Sequence, residues 1–241
     1  MPAAPARPAL QDVPAEVVVV DDFASRYVPA RDIFVWLPEG YTTDRRYAVV
    51  YMHDGQMLFD AATTWNGQEW GVDEAATRVL ATGAVRDFIV VGVPNAGPER
   101  HAEYLPEQPL RQMTADQRQT FFATFGDDGE RLRDALRSDR YLRFLVEELK
   151  PYIDEHFAVH TDPANTFIAG SSMGGLTRPP TWPRSSCQYL PKACGLSAGL
   201  ERAIAWRTGS RLSRTLRASS NLPAKASCVY SCMRLSFFVC R

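Results

Sequence analysis

The chain has 241 residues, 45% of them apolar and 23% charged, and its formal net charge is −1. That length holds one sizeable domain, and the composition is that of a soluble globular protein. The net charge by itself points to no polyanionic partner, and no run approaches the ~18 apolar residues of a membrane span.

The small net charge hides an asymmetry. Residues 1–176 carry 16 Lys and Arg against 27 Asp and Glu, whereas residues 177–241 carry 11 against one acid, Glu201. All five cysteines (Cys187, Cys194, Cys228, Cys232 and Cys240) lie in the second stretch, and all four histidines (His53, His101, His156 and His160) lie in the first. A body without cysteine fits a cytoplasmic protein, and the odd number in the tail does not read as a disulfide framework. The opening "MPAAPARPALQDVPAEVVVV" is not a signal peptide: prolines interrupt it, and the apolar run ends in Asp21 and Asp22.

In chain order, "EVVVVDDF" and "ARDIFVWLPEGY" predict two strands, the second closed by a Pro-Glu-Gly turn. "YAVVYMHDG" is a short apolar run that meets a polar loop at Gly55, as a buried strand does. "GVDEAATRVLATG" predicts a helix with acids in its first turn and Gly83 at its end. "DFIVVGVPN" is a second buried strand. Glu107 to Ser138 reads as a polar loop with one helix near "DGERLRDALRS". "SDRYLRFLVEELKPYIDEHF" predicts a long helix capped by Ser138, with Leu142, Leu145, Leu149 and Ile153 on one face and a kink at Pro151. "NTFIAG" is again a strand. Strands alternating with helices imply an α/β fold, a doubly wound, mostly parallel sheet covered on both faces.

"GSSMG", Gly170 to Gly174, fits G-x-S-x-G directly after the apolar strand "TFIA". In that pattern the serine sits on a strained strand-to-helix turn that exposes its hydroxyl. Small residues two before and two after let the backbone close up, and the following helix aims its first N–H groups at a developing oxyanion. This marks Ser172 as a nucleophile elbow.

With "YAVVYMHDGQMLFD", "EWGVDEA", "FIVVGVPNAGPERHAEYLP", "YLRFLVEELKPYIDEHF" and "FIAGSSMGGL" in this order and spacing, residues from about 15 to 176 resemble a family of α/β-hydrolase esterases. It contains the esterase D, enterochelin esterase, feruloyl esterase and mycolyltransferase types. The resemblance implies a serine esterase that forms an acyl-serine intermediate and needs no metal or organic cofactor. Ser172 would be the nucleophile, and the N–H groups of Met173 and Gln56 would receive the oxyanion. His53, Asp54, Asn95, Arg100, Glu103 and Tyr104 would border the substrate, a small-molecule ester. Read from the residues alone, His53 is better explained as the satisfied end of a buried strand, and Arg100 and Glu103 are equally well explained as a surface ion pair. His101 with Glu103 has no companion cluster for a metal. An acyltransferase using the same site, or a domain that binds without catalysis, are the alternatives.

The pattern breaks at Leu176. The base and its orienting acid follow the serine in chain order in α/β-hydrolases, yet after Ser172 there is no His and no Asp. "TRPPTWPR" puts Pro179, Pro180 and Pro183 where the helix after the elbow belongs, and a proline inside a helix costs about 3 kcal/mol. Residues 1–176 are therefore expected to be the N-terminal part of an α/β-hydrolase domain truncated after the nucleophile elbow. Residues 177–241 are expected to be a basic Cys/Arg/Pro/Ser-rich tail, out of frame and not a domain. The alternative is a genuine basic tail that binds nucleic acid or anionic lipid, with "AGLERAIAWRTGSRLSRTLRA" as a basic amphipathic helix. With its later strands missing, "TFIAG" is expected to be an open sheet edge.

Overall fold

The computed structural model describes residues 15–177 and the backbone of one strand in the tail, Phe237–Cys240. The proline-rich stretch after Thr177 and the basic helix around Glu201 lie outside the described residues. The strands are β1 (Glu16–Phe23), β2 (Arg31–Leu37), β3 (Ala48–His53), β4 (Phe88–Val93), β5 (Thr166–Ser171) and β6 (Phe237–Cys240), in one sheet of order β1-β2-β4-β3-β5-β6. The central strands β4, β3 and β5 run parallel. β1 and β2 add an antiparallel flank on one side, and β6 pairs antiparallel with β5 on the other. The open edge expected at "TFIAG" is therefore covered: Ile168 lies opposite Cys240, and Ser171 opposite Phe237.

Every residue of β3, β4 and β5 is buried, which explains their unbroken apolar sequence. Alternate side chains go to opposite faces. Val50, Met52, Phe88, Val90, Phe167 and Ala169 meet helix α1 (Val72–Leu80), which turns Val72, Ala75 and Ala76 inward. Val49, Tyr51, Ile89, Val91 and Ile168 meet the other layer, led by Tyr141, Phe144, Leu145, Leu149 and Ile153. After α1 the chain returns as β4 on one side of β3. It then crosses the opposite face and returns as β5 on the other side. The crevice outside the carboxyl ends of β3, β4 and β5 is thus a topological switch point, where open α/β sheets hold their ligands.

Two expectations change between β4 and β5. The region from Glu107 to Ser138 contains three helices rather than one: α3 (Glu107–Arg111), α4 (Ala115–Ala123) and α5 (Asp128–Ala135), preceded by α2 (Arg100–Tyr104). The start of α4 is a reciprocal capping box between Thr114 and Gln117. The long helix is divided into α6 (Ser138–Phe144), a π turn (Leu145–Leu149) and α7 (Lys150–His156). Pro151 offers no N–H, and in the turn before it the Lys150 N–H reaches back to the Leu145 carbonyl. Ser138 does not cap this helix. Its hydroxyl accepts the Glu107 N–H at 3.1 Å and so serves α3. Among the described residues no helix is long and apolar enough to cross a membrane.

Candidate active site

The turn after β5 shows why its sequence is so constrained. Ser172 takes φ 56, a left-handed conformation that non-glycine residues avoid, and opens a one-turn 3₁₀ helix, Ser172–Leu176. A Cβ on Gly170 would lie 2.6 Å from the Gly174 carbonyl carbon and 2.9 Å from His53 Cδ2. A Cβ on Gly174 would lie 3.3 Å from His53 Cβ. The two glycines are the close approach of the elbow to itself and to the end of β3. Met173 occupies the second helical position, where the N–H has no intrahelical partner.

The turn after β3 is built in the same way. Asp54 takes φ 60 and ψ 43, and Gly55–Met57 is a second one-turn 3₁₀ helix, with Gln56 at its second position. Gly55 is pressed on the end of β4, where a Cβ would come within 2.5 Å of Val93 N. The Asp54 carboxylate is clamped. Arg100 donates to it from Nε and from its terminal nitrogen, both at 2.7 Å, and Asn95 Nδ2 donates at 2.7 Å. The same guanidinium reaches the Ser171 carbonyl at 3.2 Å and lies 4.8 Å from the Tyr104 ring centroid. The Asp54 N–H donates to the Tyr104 hydroxyl at 3.1 Å. Gln56 Oε1 accepts the Asn95 N–H at 3.2 Å.

The short helix α2 ties these turns together. Arg100 joins the loop after β3 to the residue before Ser172. Glu103, fully buried, receives both terminal nitrogens of Arg31 at 2.9 and 2.6 Å, and Arg31 also donates to the Pro94 carbonyl at 2.9 Å. The Tyr104 carbonyl accepts the Thr177 hydroxyl at 2.7 Å. His53 is buried among these groups. Its Nε2 is 2.9 Å from the Thr177 carbonyl, which can only accept, so that nitrogen carries the proton. Nδ1 then accepts from the Tyr141 hydroxyl at 2.8 Å. Burial lowers the pKa of His53 and raises those of Tyr104 and Tyr141, so the cluster is a neutral imidazole held by protonated phenols.

The expected site residues thus divide by depth. Ser172, Gln56, Asn95 and Arg100 are half-buried around the crevice. His53, Asp54, Glu103 and Tyr104 do not border an open pocket. All four are buried, and their polar atoms are closed by protein partners. Arg100 and Glu103 do not pair with each other; Asp54 and Arg31 are their counterions. Two of the other histidines have side-chain partners of their own. His156 Nδ1 meets the Tyr152 carbonyl at 2.8 Å, and His101 sits edge-on to Phe125. Arg31, Tyr141 and Thr177 carry much of the network without a motif to mark them. The only local signal was a charged pair, Arg31 and Asp32, opening a strand whose remaining residues are apolar.

Residues 29–177 match the model of the family described as Putative esterase. The chain belongs to that family. Among solved structures it is similar to a CE1 ferulic acid esterase from Anaeromyces mucronatus in complex with ferulic acid: 23% identity, 71% of this chain and 54% of that chain, TM-score 0.43. It is also similar to an IroE-like serine hydrolase from Shewanella oneidensis: 21% identity, 60% of this chain and 40% of that chain, TM-score 0.42. For the BES protein from Bacillus cereus the figures are 18%, 73%, 58% and 0.41. The chain spans about half the length of the solved structures it matches.

Proposed function

We propose that Ser172 is the nucleophile of a carboxylic ester hydrolase that works through an acyl-serine intermediate. Its Oγ attacks the ester carbonyl, the alcohol leaves with a proton, and water then releases the acid and restores the hydroxyl. Met173 and Gln56 donate their N–H groups to the oxyanion from the second positions of two short 3₁₀ helices that follow adjacent strands. Asp54, Arg100, Asn95 and Tyr104 hold those two turns in register, with His53 and Glu103 beneath them as scaffold. The substrate is a small-molecule ester, and the chemistry asks for no cofactor. The observation that carries the reading is Ser172 at φ 56 between Gly170, which has no room for a Cβ, and Gly174, where a Cβ would be tight against His53 at 3.3 Å.

The same reading accounts for what the chain lacks. A serine hydroxyl needs a base, and after Ser172 there is no His or Asp. We therefore read the segment after about Leu176 as translated out of frame, and the chain as written as nearly inactive. What remains without a triad is at most the ~10³–10⁴-fold acceleration from oxyanion hole and binding. The test restores the frame and assays p-nitrophenyl acetate hydrolysis and fluorophosphonate labelling. Turnover and labelling should appear and should vanish with Ser172→Ala. Turnover that survives Ser172→Ala, or an original chain as fast as the restored one, overturns the proposal.

A further inference from the structure

At the carboxyl edge of the sheet, on the side of β4 away from Ser172, lies a cavity of about 250 Å³. Because β2 runs antiparallel to β4, the register that sets Phe34 opposite Gly92 brings Arg31, at the start of β2, to the level of Asn95. Pro29, Ala30 and Ala96 form the apolar wall of the cavity; Arg31, Asn95, Glu99 and Arg137 form the polar one. The charges around it do not cancel. Arg31 and Glu103, both buried, close on each other through two hydrogen bonds. Glu99 is shared by Arg137 and by Arg131, the latter at 3.5 Å, and together they hold its pKa below the usual carboxylate range. Three guanidiniums thus face two carboxylates, which leaves one positive charge over. The unspent donors are on Arg137. One terminal nitrogen serves Glu99, and the other bonds to no described residue. Its Nε is buried without a hydrogen-bond partner among the described residues, and Glu103 Oε1 at 3.7 Å is out of reach. A buried donor left without an acceptor is rare and calls for a partner.

We propose that this cavity binds a small monocarboxylic acid as its anion, with Arg137 as the principal donor. A guanidinium fork matches the two oxygens of a carboxylate. Glu99 stands on the same wall and repels a second negative charge, so a monoanion suits the site better than a phosphate dianion. Pro29, Ala30 and Ala96 leave room for a compact apolar body and offer it no polar side chain. The size agrees, since drug-sized ligands occupy about 300–1,000 Å³. Asn95 is not a free donor here. Its Nδ2 is spent on Asp54, and its Oδ1 accepts the Gly97 N–H at 2.8 Å. The cavity lies two to three strands from β5, roughly 10–14 Å at ~4.8 Å per strand. A carboxylate held there is therefore not an acyl group in reach of Ser172, and the site stands independently of the ester-hydrolase reading above.

The test uses the intact chain and sodium benzoate. The Arg137 Nε–H resonance, identified by its loss in Arg137→Gln, should shift saturably with millimolar benzoate. Benzamide, which has the same shape without the charge, and sodium chloride at equal ionic strength should cause no saturable shift. Inorganic phosphate should bind about tenfold more weakly than benzoate or worse. Arg137→Gln, followed at the Ala96 amide, should weaken benzoate binding about tenfold or more. Because Arg137 also neutralises Glu99, a second variant leaves every charge in place: Ala96→Leu fills the cavity and should abolish the response of the Arg137 Nε–H. The inference is overturned if benzoate gives no saturable shift by about 100 mM, if benzamide or phosphate binds as tightly as benzoate, or if either variant binds benzoate like the parent chain. The two readings fail separately. Benzoate binding with no Ser172 labelling in the frame-restored protein would remove the esterase and leave the acid site. Labelling at Ser172 with no benzoate response would do the reverse.

Discussion

Two turns leave the carboxyl edge of the sheet side by side, one after β3 and one after β5. Each puts a non-glycine residue in the left-handed region, Asp54 at φ 60 and Ser172 at φ 56, and each leads into a one-turn 3₁₀ helix. Each stores strain on the order of 1 kcal/mol or more. Their side chains are treated in opposite ways. Asp54 is buried and its carboxylate takes three charge-assisted or amide hydrogen bonds. Ser172 is half-buried, and its hydroxyl bonds to no other described residue. The first strain is held by a clamp that stabilises the fold; the second keeps a hydroxyl free at the end of a buried strand. A left-handed residue is therefore not by itself a mark of chemistry. What its side chain is bonded to separates the clamped turn from the open one.

The harshest way to break the comparison is to remove the space both turns share. Gly170→Ala puts a methyl 2.6 Å from the Gly174 backbone and 2.9 Å from the His53 ring. Backbone cannot yield as a flexible side chain can, so a loss of about 3 kcal/mol or more is expected. Urea unfolding monitored by far-ultraviolet circular dichroism measures it. A loss below 1 kcal/mol would mean that the elbow is not packed on β3 as described.

The clamp on Asp54 is the next target. Asp54→Ala leaves Arg100 partly buried, with the Ser171 carbonyl and the Tyr104 ring but no counterion. Removing one partner of such a pair costs about 3 kcal/mol. A double-mutant cycle with Arg100→Ala should return a coupling of about 1–3 kcal/mol, because the second change removes the stranded charge. Additive losses would show that the pair is incidental.

A third test uses pH. His53 is neutral in the fold because burial depresses its pKa. The unfolded chain takes up its proton near the ordinary value of about 6.5, and the folded chain does so only at lower pH. His53 therefore contributes full stability above about pH 6.5, and that contribution is lost as pH falls through 6.5 towards the depressed folded value. Asp73 works in the other direction. Burial, and after it the hydrogen bond with Glu74, raise its folded pKa to about 6, so its penalty is full above pH 6 and fades as pH falls. Following the stability difference between the parent chain and His53→Asn from pH 7.5 to 5 isolates the histidine. The parent's advantage should shrink with acid; a constant difference would mean that the fold leaves the pKa of His53 unshifted, and an advantage that grows with acid that His53 is charged in the fold.

These groups differ in how far the sequence disclosed them. β3, β4 and β5 were legible because each is a continuous apolar run, and the elbow because two glycines at fixed spacing are a local requirement. Asp54 was legible as a residue but not in its role, since its partners Asn95 and Arg100 arrive 41 and 46 positions later. Arg31 with Glu103, 72 positions apart, and His53 with Thr177, 124 apart, leave no local pattern at all. They exist because α2 happens to cross three strand ends. Helices α3 and α4 were missed because they are short and bury few side chains, so the apolar stripe that announces a helix is weak. The capping box at Thr114 was the signal available. Strand β6 could not be expected from "LSFFVC", because pairing with β5 depends on a partner more than sixty residues away in sequence.

The smallest effect separates the two turns most directly. Glycine reaches φ near 60 without steric cost, so Ser172→Gly removes the strain on the elbow. Against that stands the extra freedom of glycine in the unfolded chain, about 0.5–1 kcal/mol. The hydroxyl that is lost bonds to no described residue, so nothing else is given up. The net result should be a chain as stable as the parent or up to about 1 kcal/mol more stable. Ser172→Ala keeps the strain and loses only the free hydroxyl, so it should match the parent closely. Asp54→Gly relieves the same strain but dissolves the clamp, and should lose about 2–3 kcal/mol on balance. Chemical denaturation of the three variants under one buffer decides the matter. If Ser172→Gly loses as much as Asp54→Gly, the Ser172 side chain is structural after all, and the contrast between a clamped turn and an open one disappears.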